Sequence, residues 1–158
     1  MIDQPPDRSH SLQFTGSAAF NASPEEVWAF LIDPSRLGPC SPVPIERVDE
    51  RHFHAQARLG SGFFSATVRL DLEIADVLDG QRARITGRGS ASGTTVSASL
   101  ALEIRTGSPD GTTTVDWDLD AQVSGMFAGQ AERAIGDRAQ DAIQRLVDCI
   151  RRQVDDGP

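Results

Sequence analysis

Lysine and tyrosine are absent from this sequence, and all 15 basic residues are arginine. That bias reads as genome composition before it reads as a functional choice. Positive charge is also in deficit, because 23 acidic residues leave a net charge of −8. A phosphate backbone needs a basic face, so nucleic acid is excluded as a main partner. Cysteine is scarce: Cys40 and Cys149 lie far apart with no CxxC spacing. The pair predicts no zinc site, no disulfide scaffold and a reduced, cytoplasmic setting. No apolar run approaches the ~20 residues of a membrane span. The opening MIDQPPDRSHS lacks the basic start and apolar stretch of a signal peptide. GxSxG, HExxH, GxGxxG and Walker patterns are missing too.

What is present is ordinary globular material, 39% hydrophobic and 24% charged over 158 residues, enough for one domain. Residues 1–11 read as a loose tail, 12–155 as a single domain and 156–158 as a frayed end. In LQFTGSAAF, Phe14, Gly16, Ala18 and Phe20 share a face, the period-2 mark of a strand. Ser23-Pro24-Glu25-Glu26 then supplies an N-cap, a first-turn proline and a capping-box glutamate. Val27, Phe30 and Leu31 form the buried stripe of a short helix that stops at Asp33-Pro34, and a second short turn follows. From about residue 43 to 123, apolar and polar residues alternate between Gly- and Pro-rich turns, and Gly87-Arg88-Gly89 reads as one of those turns. Such alternation belongs to an antiparallel sheet with one wet face. From 126 to 154 the period changes to 3.6, with Ala128, Ala131, Ile135, Ala139, Ile143, Leu146 and Ile150 on one side. The predicted fold is α+β: a curved antiparallel sheet of about seven strands around one long C-terminal helix, with two short helices after the first strand.

These residues resemble the carbon monoxide dehydrogenase G-subunit family, within the START-like (SRPBCC, helix-grip) superfamily. The resemblance rests on FTGSAAFNASPEEVWAFLIDPSRLGPCSP, LGSGFFSATVRL, GRGSASGTTVSASLAL and VSGMFAGQAERAIGDRA, in order over about residues 12–145. Four positions depart from the family pattern: Val43 and Ala131 stand where glycine is usual, and Leu146-Val147 replaces an aromatic pair. The resemblance implies a hydrophobic-ligand cavity between helix and sheet, and a role beside a molybdenum hydroxylase in maturation, membrane recruitment or quinone supply. Some relatives carry a long C-terminal extension that reaches the membrane. This chain stops at Pro158, so at most peripheral membrane association is expected.

The alanine-rich first half of the long helix points to a cavity beneath it, with Met126 and Phe127 at the mouth. On that reading Ala131→Trp plugs the cavity with little loss of stability. Phe64, Val68, Ile85, Leu100, Trp117 and Leu119 are expected to line it from the strands, and Ala131, Ala134, Ile135, Arg138 and Ala139 from the helix. Arg138 is either a polar handle for a ligand oxygen or a snorkelling surface group. His52 and His54, two apart on a strand, fit a metal only if Glu50 or Asp49 joins them. With no third ligand fixed by spacing, solvated histidines are the better reading. Asp116, Asp118 and Asp120 read as the wet face of a strand. No catalytic residue, metal or cofactor is therefore expected. The sequence reads as a non-enzymatic carrier of an apolar small molecule, quinone or lipid-like, serving a redox enzyme. Its rivals are a cyclase/aromatase-like enzyme and a partner-docking scaffold with a filled core.

Overall fold

The computed structural model describes residues 9–41, 44–61, 64–91, 93–105, 111–126 and 128–155. Ser9–Phe20 (β1) leads into Pro24–Leu31 (α1), Pro34–Leu37 (α2) and a 3-10 turn at Gly38–Cys40. Six strands follow: Ile45–Arg47 (β2), His52–Ser61 (β3), Phe64–Leu78 (β4), Arg82–Ala91 (β5), Thr94–Arg105 (β6) and Thr113–Gly125 (β7). Ala128–Asp155 (α3) completes the chain. The strands form one curved antiparallel sheet in the order β1-β7-β6-β5-β4-β3-β2. All the connections from β2 to β7 join neighbours, and one long return places β1 beside β7.

The register explains the alternation. Val96, Leu100, Leu102 and Ile104 of β6 stand opposite Val123, Leu119, Trp117 and Val115 of β7. Phe14 and Ala18 of β1 continue those rows. One face of the sheet is thus largely apolar, and α3 packs on it. Residues 1–8 of the expected tail lie outside the described residues, as do 156–158. Residues 9–11 are not tail but strand, because Ser9, His10 and Ser11 pair with Ser124, Val123 and Gln122. His10 Nδ1 also meets Glu132 Oε1 of α3 at 3.1 Å.

Gly87-Arg88-Gly89 is no turn either. It runs through the middle of β5, with Gly87 opposite Ala98 and Gly89 opposite Val96. A Cβ on Gly87 would fall 2.6 Å from Leu72 Cδ2, and one on Gly89 would collide with the Arg69 carbonyl oxygen. These glycines serve close approach between strands, which local sequence cannot distinguish from a turn.

Local capping sets the helices. The Ser23 hydroxyl accepts the Glu26 N–H at 3.2 Å, and Pro24 occupies the first turn. Asp33 starts α2 by accepting the Ser35 N–H at 3.0 Å and the Ser35 hydroxyl at 2.6 Å. Those two bonds, the hydroxyl more strongly, lower the Asp33 carboxyl below its ordinary value. From α1, Val27, Trp28 and Phe30 enter a core with Phe20, Ile104, Val115, Ile150 and Val154. Each of those large side chains contributes about 1.5–3 kcal/mol by leaving water. At the other end of α3, Ala128 and Ala131 join Val96 and Val123 in a second cluster, with Ile135 against it.

The cysteines overturn an expectation. Cys40 and Cys149 are bonded to each other across 109 residues, which ties the 3-10 turn to the last third of α3. Sequence spacing carries no trace of this pairing, because it depends on α3 folding back beside α1. Closing so long a loop removes about 4–5 kcal/mol of unfolded-state entropy in the chain model. Cys149→Ser is expected to lower stability by about 2–4 kcal/mol, read from urea denaturation without reductant. An equal denaturation midpoint in parent and variant would contradict the bond.

Candidate ligand cavity

Two halves of α3 meet the sheet differently. In the first half, Ala131 is 1% exposed and sits with Ala128 against Val96 and Val123. Small side chains there let the helix approach the strands closely. The second half presents Ile143, Leu146, Val147 and Ile150 instead, and between them and the sheet lies a cavity of about 200 Å³. Phe20 of β1 and Leu31 of α1 close one end. Leu100 and Leu102 of β6 and Val115, Trp117 and Leu119 of β7 form the floor. None of these side chains ionises.

The position of Trp117 is set by Gly16 on the neighbouring strand. The two face each other in register, and a Cβ on Gly16 would collide with the indole Cζ2. Any other residue at position 16 would push the indole away. Its Nε1 edge lies on this same β1 side. The cavity shares Trp117 and Ile143 with a wider cleft of about 800 Å³, lined also by Gln13, Phe14, Thr15, Asp137, Gln140, Asp141 and Gln144.

Of the lining residues expected from sequence, Leu100, Trp117 and Leu119 meet at this cavity. The helical ones do not. Ala131 is packed, Ile135 lies against the same cluster, and Ala134 and Ala139 are half-buried outside the lining. The packed alanines therefore seat the helix, and the hollow begins at Ile143, about three turns beyond Ala131. Met126 is 72% exposed rather than at a mouth. Arg138 is exposed and outside the lining, so the snorkelling alternative describes it. Val68 is buried and Ile85 half-buried, both away from the cavity. Phe127 and the Phe64 side chain lie outside the described residues. The lining residues that sequence reasoning misses are Phe20, Leu31, Leu102, Val115, Ile143, Leu146, Val147 and Ile150. The stripe of Ile143, Leu146 and Ile150 is legible in the sequence, but it reads as packing.

The outer face of the sheet is polar. His52 Nδ1 lies 2.8 Å from Asp49 Oδ1, and its Nε2 lies 3.6 Å from Glu73. The Asp49 carboxylate raises the imidazole above its ordinary value. His54 Nδ1 is 2.7 Å from Asp71 Oδ1. Among the described residues no group of three or more His, Cys, Asp or Glu is placed to hold a metal. Asp116 accepts the Ser17 hydroxyl and pairs with Arg105 at 2.6 Å, and both hold its carboxyl low, the hydroxyl more strongly. Asp118 accepts from Gln13 Nε2 at 3.2 Å. The aspartate row is thus a wet face tied to its neighbours. Wider hollows on this face, such as one of about 520 Å³ beside His52 and Arg88, are lined largely by polar side chains.

Residues 16–155 match the family profile described as the G-subunit of carbon monoxide dehydrogenase, CoxG. A conserved protein from Geobacillus kaustophilus is similar in structure, with a TM-score of 0.75 at 23% identity over 90% of this chain and 95% of its own. A START superfamily protein from Mycobacterium smegmatis gives 0.62 at 14% identity, covering 91% and 97%. A protein from Rhizobium leguminosarum gives 0.65 at 9% identity, covering 93% and 96%. These likenesses show the START-like fold. No curated protein matches the chain by sequence. No helix among the described residues is long and apolar enough to cross a membrane.

The close seating of α3 has a direct test. Ala131→Trp is expected to destabilise by the upper part of the ~1–3 kcal/mol range for overpacking, or more. A melting temperature unchanged from the parent would instead put the empty volume under the alanines.

Proposed function

The chain belongs to the CoxG family of carbon monoxide dehydrogenase, and from that premise we propose that it is a non-enzymatic binding protein for an apolar small molecule. The observation that carries this reading is the partly open cavity beneath the second half of α3, lined by apolar side chains alone. At about 200 Å³ it is smaller than the ~300–1,000 Å³ of sites that swallow a drug-sized ligand. It suits a hydrocarbon tail or ring edge, with the rest of the molecule in the adjoining cleft. A quinone or lipid-like ligand has that shape. Trp117 lies at the junction, and its indole N–H can donate to a ligand carbonyl.

Acid–base chemistry needs a titratable group within reach of the ligand. The cavity lining supplies none, and the two carboxylates of the adjoining cleft, Asp137 and Asp141, are solvent-exposed, which weighs against a cyclase/aromatase-like enzyme. The family's name supports an accessory role beside a redox enzyme of the carbon monoxide dehydrogenase or molybdenum hydroxylase kind. Sequence alone points to a cytoplasmic protein, at most peripherally associated with a membrane. The cytoplasmic part leans on reduced thiols, and the Cys40–Cys149 bond removes that support.

Leu119→Phe and Leu146→Phe test the reading, since both enlarge side chains on the cavity wall. The parent is expected to bind a short-chain naphthoquinone saturably, quenching the part of the emission that Trp117→Phe removes, with Trp28 supplying the remainder. Each filling variant is expected to lose most of that binding while its melting temperature moves by a few degrees at most. No saturable binding by the parent, or binding that neither variant changes, would favour a filled-core scaffold.

A further inference from the structure

We infer that the cleft between the free edge of β1 and α3 is a groove for strand addition, and that its occupant is an extended, basic segment of a partner protein. Among the described residues β1 ends the sheet, so one side of its backbone has no neighbouring strand there. Which residues face that side follows from two contacts. The Ala19 carbonyl accepts from Arg151 Nε at 3.3 Å, and the Asn21 N–H donates to Asp155 Oδ1 at 2.8 Å. Both bonds run to α3 rather than to β7. The β1–β7 register is unbroken from Ser9 to Phe20, so every second residue shares this orientation. The N–H and C=O groups of Gln13 and Thr15 therefore point outward from the edge.

The cleft lies at that place. Consecutive strand residues point to opposite faces, yet Gln13, Phe14 and Thr15 all line it. Only a hollow that looks onto the strand's edge meets all three. The opposite wall is α3, through Asp137, Gln140, Asp141 and Gln144. An edge strand flanked by a helix is the geometry in which a peptide adds main-chain hydrogen bonds on one side and side-chain contacts on the other.

Natural sheets protect long edges with charge, proline or a bulge. From Ser11 to Phe20, β1 has no charged residue and no proline, and its pairing is regular. Arg151 caps the edge near Ala19, and among the described residues nothing caps the stretch around Gln13 and Thr15.

Charge selects the occupant. On the helix side an added strand meets Asp137, which is exposed, and Asp141, which Arg145 partly neutralises at 3.1 Å. On the outer side it runs beside Gln13, behind which stands Asp118, and Ser17, behind which stands Asp116 with its charge already met by Arg105. A basic segment is attracted from both faces. A second copy of this chain brings another net charge of −8 and a second acidic helix wall, and is repelled. Strand addition needs only the edge and the cleft of the ligand-free protein, and a ligand that extends from the cavity into the cleft competes with it.

The test uses ligand-free protein and a synthetic ten-residue peptide alternating arginine and threonine, with a glutamate-for-arginine peptide as control. The basic peptide is expected to bind and to slow hydrogen exchange at the Gln13 and Thr15 amides, while the acidic one does neither. Thr15→Pro removes one edge N–H and leaves the β7 side intact. It is expected to weaken binding at least about tenfold, as is the paired change Asp137→Arg with Asp141→Arg. If Thr15→Pro fails to fold, the paired aspartate change and the exchange pattern decide. Equal binding of both peptides, unchanged affinity in the variants, or protection elsewhere would overturn the proposal. So would protection at the same amides caused by concentration-dependent dimerisation of the protein alone.

Discussion

Everything in this molecule depends on how one helix lies on one sheet. A seven-stranded antiparallel sheet with an apolar face cannot stand in water, and among the described residues α3 is the one element long enough to cover it. The helix is unevenly built. Ala128 and Ala131 seat its first half against Val96 and Val123, while Ile143, Leu146 and Ile150 fill the space under its second half. One end therefore sits close and the other stands off. The cavity is the volume left by that difference.

The standing-off end is held in place by several independent means. Ile150 and Val154 enter the core formed by α1 and the ends of β1, β6 and β7. The Cys40–Cys149 bond fixes the helix to the 3-10 turn. Arg151 reaches back over the Phe20 ring, with its guanidinium 5.7 Å from the centroid, while its Nε donates to Ala19. These contacts stop the second half from collapsing onto the strands. A cavity between packed elements persists only when both walls are anchored outside it.

Much of this is legible in the sequence, and the exceptions share one cause. Strand alternation from Phe53 to Val123 and the 3.6 period of α3 report local geometry, so the sheet, the helix and their facing sides are readable. The Ser23 cap is readable for the same reason. Gly87 and Gly89 mislead because a glycine needed for close strand approach looks like a glycine needed for a turn. The alanines mislead because a small residue on a helix either brings the sheet closer or leaves a gap, and its partner strand decides which. Leu100, Trp117 and Leu119 are found because strand parity alone places them inward. Cys40 and Cys149 pair only through the return of α3 past α1, which no local pattern encodes.

The uneven seating of α3 is the central claim, and xenon under pressure probes it most directly. Dry apolar cavities bind xenon without any hydrogen-bonding partner. Diffraction from a pressurised crystal is expected to show xenon between Trp117 and Leu146, and none beneath Ala131. Xenon under the alanine half, with nothing at Trp117, would contradict the account.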